Sequence, residues 1–306
     1  MRHSLRVDLI SHVTILGGAC TRAVIVARCG RAAVDGALRD GTLVRVGRGR
    51  YALSTANAAV RAAATLDGVL SMRSAAQRHG WGQKLVPEKP DVTFPRNRHL
   101  PREARLLVVP HWSDIAPQDI VDGMTSVRRT LIDCMRMLPL EESVPIVDSA
   151  LRAGDVTREE LKAIAYSMRG RGRTRAILVA EMATSRAVNP YESTLRAIAS
   201  TVPGLHVLPQ LPIRISPERE LHPDLADPDL GLVIEAESFE WHGKRAALTR
   251  DCLRYNAFTC QGWLVIRFSW ELVMFEPAYV VAVLERMVRL ARRHANVARG
   301  SPAAAA

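Results

Sequence analysis

Residues 222–242, HPDLADPDLGLVIEAESFEWH, place acids where a buried strand would carry none. Leu232, Val233 and Ile234 read as the apolar core of a strand, and that run ends in Glu235-Ala236-Glu237. Side chains at i and i+2 of a strand share a face, so Glu235 and Glu237 are expected side by side. Asp224, on the preceding strand, joins them if the two strands form a hairpin. A buried carboxylate is costly unless compensated, and like charges on one face cost more. A cluster of acids at the end of a buried sheet is what a divalent cation needs. Metal-assisted chemistry is therefore the first expectation.

The elements that must position these acids begin near Asn189. Pro190-Tyr191-Glu192 opens a helix carrying Leu195 and Ile198, with Pro190 suited to the first turn. Strands are expected at 206–215, 221–226 and 230–237, a polar helix at about 244–259, and a strand at Trp263–Phe268. Pro277 opens a last amphipathic helix running to about Arg293, and the alanine-rich end is expected to be disordered from 298. Helix, three strands, helix and strand make an α/β unit over 186–297.

At 306 residues the chain is long enough for two or three domains, and its net charge of +11 favours polyanions. Nucleic acid is the leading partner and an anionic membrane surface the runner-up. No apolar stretch reaches the ~20 residues that span a bilayer, and Asp8 and His12 interrupt any leader-like run. Five cysteines without CxxC spacing read as reduced thiols, so a cytoplasmic location is expected.

The charge is concentrated early: the first fifty residues hold nine arginines against three aspartates. Thr21 can cap a helix over Arg22–Arg28 that Cys29-Gly30 breaks, and Arg31–Asp40 reads as a second helix. Its apolar positions Ala33, Val34, Ala37 and Leu38 share one face. Strand, glycine turn and strand follow through Tyr51-Ala52-Leu53. This is the order of a winged helix-turn-helix over 1–55. Arg45, Arg48 and Arg50 on the hairpin would reach phosphates, and Arg31 and Arg39 could enter the major groove. Residues 56–185 read as a middle α/β region. Strands are expected at Val92–Phe94 and Leu106–Val109, and helices at about 126–137, 141–152 and 157–168. The arginine run from Arg169 to Arg175 reads as a solvated, flexible connector.

The C-terminal residues resemble the PD-(D/E)XK nuclease superfamily, and within it the very-short-patch-repair-like endonucleases. The matching positions are Glu192, Pro223-Asp224, Glu235-Ala236-Glu237, Phe239-Glu240-Trp241-His242, Arg250-Asp251-Cys252-Leu253-Arg254 and Gly262-Trp263-Leu264-Val265-Ile266-Arg267-Phe268. The resemblance implies a mixed sheet flanked by helices and a nuclease dependent on Mg²⁺ (or Mn²⁺). Asp224 and Glu235 would be the main metal ligands, with Glu192 supporting them through water. His242 would act as a base and Trp241 would stack on bases, while Arg250 and Arg254 would lie along the DNA. Glu237 stands where the superfamily usually has lysine, so the position that would help neutralise a transition state adds negative charge instead.

The N-terminal half has a resemblance of its own. The hairpin ending Gly49-Arg50-Tyr51-Ala52-Leu53, with Ser71-Met72-Arg73-Ser74-Ala75 beyond it, is similar to abortive-infection antitoxins of type IV toxin–antitoxin systems. That implies an operator-binding regulator whose middle region makes protein contacts, with a cognate toxin or with itself. Two readings stand side by side. One is an endonuclease acting on double-stranded DNA through Asp224, Glu235, Glu237 and His242. The other is a transcriptional regulator carrying an inactive nuclease fold.

Overall fold

The computed structural model describes residues 9–13, 18–237 and 245–300. Strand β1 (Ala19–Thr21) ends on Thr21, whose Oγ1 accepts from Val24 N at 3.4 Å and caps helix α1 (Arg22–Cys29). Gly30, at a φ of 79°, turns the chain into α2 (Arg31–Arg39). Strands β2 (Leu43–Gly47) and β3 (Arg50–Leu53) form an antiparallel hairpin, and β1 pairs with the other edge of β3. Val34 and Ala37 are buried with Ile25, Leu43 and Leu53, so the apolar face expected for α2 is the face that packs.

Next come α3 (Ala58–Thr65), β4 (Val69–Leu70), α4 (Met72–Arg78), β5 (Asp91–Phe94), α5 (Arg102–Leu107), β6 (Val109–Trp112), β7 (Ile120–Val121) and β8 (Met124–Thr125). The five strands form one mixed sheet in the order β6-β5-β4-β8-β7. Leu106 and Leu107, expected in a strand, end α5 instead. Pro101 cannot donate a backbone N–H and suits the start of a helix, Glu103 complements the first turn, and both leucines are exposed. Gly68 runs so close to the sheet that a Cβ would lie 2.6 Å from Phe94 Cε1 and closer still to Val92 Cγ1. Both neighbours are fully buried. Gly68→Ala is therefore expected to cost ~1–3 kcal/mol through overpacking, read as a lower urea midpoint; an unchanged midpoint would refute the close packing.

Helices α6 (Val127–Met137), α7 (Leu140–Ala153), α8 (Arg158–Ser167) and α9 (Arg173–Met182) follow. The arginine run is no free connector. Arg173 Nε donates to Met168 O at 3.0 Å, and Arg175 Nη1 reaches Arg136 O and Met137 O at 3.4 Å. The chain divides into two compact units, one of Met1–Met137 with Ala163–Ala176 and a second of Leu138–Lys162 with Ile177–Ala306.

The second unit holds α10 (Pro190–Ala199), β9 (Leu208–Pro209), β10 (Ile213–Ser216), β11 (Arg219–Leu221), β12 (Leu225–Asp227), β13 (Leu232–Glu237), α11 (Arg245–Cys260), β14 (Leu264–Ser269), α12 (Trp270–Phe275) and α13 (Pro277–Gly300). The two strands expected at 206–215 and 221–226 are each cut in two. Pro212 and Pro223 lie at the breaks, where a missing N–H interrupts a ladder. A four-stranded sheet runs β14-β13-β12-β9, antiparallel except for the parallel β13–β14 pair. A parallel pair needs a long crossover, which the segment containing α11 supplies. Period-2 alternation sorts the faces. Leu232 and Ile234 pack with Leu195 and Ile198 of α10 and Val280 and Leu284 of α13, while Val233 packs with Phe258 of α11. Both faces are thus covered, giving a mixed α/β fold. Helix α13 continues past the expected Arg293 to Gly300. Among the described residues no helix is long and apolar enough to cross a membrane.

Candidate functional site

Hairpin register brings the acids together. β12 and β13 pair with Leu225 opposite Ile234, which sets Asp224, the residue just before β12, beside Glu235 and Ala236. Asp224 Oδ2 accepts from Ala236 N at 2.8 Å, and Asp224 N approaches Glu235 Oε2 at 3.5 Å. Glu235 is 5% exposed. Burial, and then the adjacent Asp224 charge, push its carboxyl up to about 8, against the pull of Arg254. Burial also raises Asp224, although the Ala236 N–H opposes it. A hydrogen bond between the carboxyls favours the proton on Glu235 and the charge on Asp224.

Arg254, one turn or more into α11, is drawn inward. Its Nε and Nη2 donate to Glu235 Oε1 at 3.2 and 3.0 Å, and Nη2 also donates to His222 O at 2.6 Å. Arg254, expected along the DNA, forms this ion pair within its own unit. Arg250, a turn earlier on the same helix, is exposed. Glu237 shares the α11 side of the sheet with Glu235, as the strand period requires. Tyr255 Oη donates to its Oε1, and Arg267 Nη1 lies 3.5 Å from the same oxygen. Burial raises the Glu237 carboxyl, Arg267 opposes that, and the charges of Asp251 and Asp224 add to it.

Glu192 is 6% exposed and is committed to its own helix start. Asn189 caps α10 by accepting from Glu192 N at 2.9 Å, while Glu192 Oε1 accepts from Asn189 Nδ2 and Oε2 from Val188 N, both at 2.9 Å. This is a capping box in which the acid reaches back over the first turn. Glu192 is nonetheless electrostatically connected to the pair, because burial first and then the Asp224 charge raise its carboxyl. Gln210 supplies the link. Its Nε2 donates to Glu192 Oε2 at 3.3 Å, its main-chain N donates to Asp224 O at 3.3 Å, and its side chain helps hold Asp224 ionised. Its φ of 52° is unusual for a residue other than glycine. Sequence reasoning missed Gln210, Tyr255 and Tyr191, whose Oη donates to Phe268 O at 2.5 Å. None of them belongs to a charged pattern; the loop prolines around Gln210 were the only local signal.

The structure therefore brings Asp224, Glu235 and, through Gln210, Glu192 into one polar network. Among the described residues no group of three or more His, Cys, Asp or Glu is arranged to hold a metal ion. The donor chemistry that is present, paired carboxylate oxygens, is of the kind a hard divalent cation takes. Trp241 and His242 lie outside the described residues.

In the first unit Arg31, Arg39, Arg45 and Arg48 are exposed. Arg39 Nε donates to Asp35 O at 3.2 Å and Arg45 Nε to Gly47 O at 3.3 Å. Arg50, beside the hairpin turn opposite Gly47, is half-buried and ion-paired with Asp67, while Arg45 and Arg48 remain presented. The five cysteines are free thiols.

No protein-family model matches the chain. Over 167 residues it is 30% identical to the uncharacterized proteins MT2308 and Rv2248 of Mycobacterium tuberculosis (strains CDC 1551 / Oshkosh and ATCC 25618 / H37Rv), covering 53% of this chain and 60% of each relative. The chain thus spans about 60% of the length of these curated relatives. The crystal structure of RV2827C protein from Mycobacterium tuberculosis aligns at a TM-score of 0.31 and 18% identity, over 64% of this chain and 80% of that one.

Proposed function

We propose that the chain is a cytoplasmic DNA-binding protein whose second unit carries a Mg²⁺- or Mn²⁺-dependent endonuclease site. The observation that carries this reading is the Asp224–Glu235 pair, two carboxyls set side by side at the end of a buried sheet with one oxygen set held by an arginine. The order α10, β9, β12, β13, α11, β14, with β13 and β14 parallel, supports the PD-(D/E)XK resemblance. Asp224 and Glu235 would ligate the cation, with Glu192 and Gln210 behind them. A bound cation supplies an acidified water and stabilises charge developing on a phosphodiester. Without the cation, Glu235 accepts hydrogen bonds from Arg254 at its Oε1. The exposed Arg31, Arg39, Arg45 and Arg48 would hold duplex phosphates and groove edges, Arg50 would stiffen the hairpin, and free thiols suit a reducing compartment.

The test is nicking of supercoiled plasmid by the purified chain in Mg²⁺ or Mn²⁺. Asp224→Ala and Glu235→Ala are each expected to slow it roughly 10²–10³-fold, the loss of several kcal/mol of charge stabilisation. Nicking that survives both substitutions refutes the site.

One observation favours the second reading, an antitoxin-like regulator with a retired nuclease fold and a toxin or second copy as partner. Glu235 and Glu237 already have arginine partners, Arg254 and Arg267, within their own unit. On that reading the plasmid stays intact in every metal, while DNA binding upstream of the chain's own gene is sequence-specific and is lost in Arg45→Ala/Arg48→Ala.

A further inference from the structure

A cavity of about 560 Å³ lies within the second unit, walled by α8, α9, α10 and the segments 183–186 and 205–209. That volume is typical of pockets for small molecules. Its charge is one-sided. Arg158, Arg186 and Arg196 line it together with His206, against a single carboxylate, Glu181. Glu181 is already matched, since its Oε2 accepts from Lys162 Nζ at 2.7 Å.

Two of the three guanidiniums are fixed by the protein itself. Arg196, whose side chain is 6% exposed, donates from Nη2 to Asp148 Oδ2 at 2.6 Å and from Nη1 to Met182 O at 2.5 Å. Arg158 Nη2 donates to Glu181 O at 3.2 Å. Arg186 is exposed, with its main-chain N held by Thr184 Oγ1 at 3.2 Å. Cations positioned in advance lose little freedom when an anion arrives. Guanidinium forks match the oxygens of phosphate better than a point charge does. Beside this charge the wall is apolar, formed by Met182, Leu205, Val207 and Leu208. The cavity thus combines an anion-attracting side with a surface for a flat or greasy group.

We propose that this cavity binds a small organic phosphate monoester of nucleoside-monophosphate size, with the phosphate held by Arg158 and Arg186 beside the Asp148-paired Arg196 and the remainder against the apolar wall. Arg196 is matched by Asp148 and Glu181 by Lys162, which leaves the charges of Arg158 and Arg186 as the complement of a phosphate monoester dianion. The proposal is independent of the nuclease reading, since none of Asp224, Glu235 and Glu192 lines the cavity.

The experiment is isothermal titration of the full chain with AMP, inorganic phosphate and adenosine. AMP is expected to saturate one site with a Kd below about 1 mM, inorganic phosphate to bind at least about tenfold more weakly for want of the apolar contact, and adenosine not to saturate. Arg186→Ala, an exposed position whose loss does not threaten folding, is expected to weaken AMP at least about tenfold, with Arg186→Lys recovering part of it. A 5′-phosphorylated oligonucleotide that displaces AMP identifies a DNA end as the source of the phosphate, and one that does not identifies a free nucleotide. No saturable AMP binding, adenosine binding as tightly as AMP, or AMP affinity unchanged in both Arg186→Ala and Arg158→Ala would each overturn the assignment.

Discussion

Asp148→Ala is expected to destabilise the second unit by about 3–5 kcal/mol, the cost of stranding a buried guanidinium. Asp148 sits on α7 with no exposed surface, and three donors converge on it. Arg196 Nη2 lies 2.6 Å and Ser193 Oγ 2.7 Å from Oδ2, and Thr184 N lies 2.8 Å from Oδ1. The carboxylate thereby clamps α7, α10 and the chain after α9. Removing it leaves Arg196 charged in a site it cannot leave, because Met182 O holds its other nitrogen. Hydrogen exchange of the amides of residues 190–199 is the measure, and protection should fall by roughly two to three and a half orders of magnitude. Asp148→Leu/Arg196→Met should recover most of the loss, since an apolar pair of similar size removes the stranded charge along with its partner. A single-variant loss below about 1 kcal/mol would show that the cluster is not structural.

The second large effect is on pH dependence. Glu235 titrates at about 8 in the folded chain against an ordinary value of 4.5. Between those two values the folded state holds a proton that the unfolded state has released, so stability falls as pH rises. The slope approaches about 1.4 kcal/mol per pH unit and flattens above the folded value. Asp224, Glu192 and Glu237 are shifted in the same direction, chiefly by burial, and add to the slope rather than cancel it. Glu235→Gln cannot ionise and keeps an acceptor for Arg254. It should match the parent near pH 5 and exceed it by a few kcal/mol near pH 8, read from urea unfolding at a series of pH values. A constant difference across that range would mean that Glu235 is ionised throughout.

These two effects differ in how far the sequence foretold them. Glu235 and Glu237 announced themselves, because a strand core of Leu232-Val233-Ile234 fixes the phase of everything after it. Asp224 joined them on the condition that its strand and the next form a hairpin, which the antiparallel pairing of β12 and β13 fulfils. Thr21, Gly30 and Asn189-Pro190 marked helix starts and stops through local hydrogen bonding and φ preferences. Such signals are local, and they were legible. Asp148 gave no sign. It reads as one more polar residue on an amphipathic helix, and its partner Arg196 lies 48 positions away.

The sequence by itself determined the alternation of the central strand, the caps, the glycine-turned hairpin with exposed Arg45 and Arg48, and the excess of positive charge. Each depends on residues a few positions apart. Only the tertiary structure decided that Arg254 turns inward to Glu235, that Gln210 ties Glu192 to Asp224, and that Arg196 is buried on Asp148. Those outcomes depend on which surfaces meet when segments tens of residues apart pack together. A charge patterned for solvent on its own helix becomes an ion-pair partner once the end of a central strand is laid beside it.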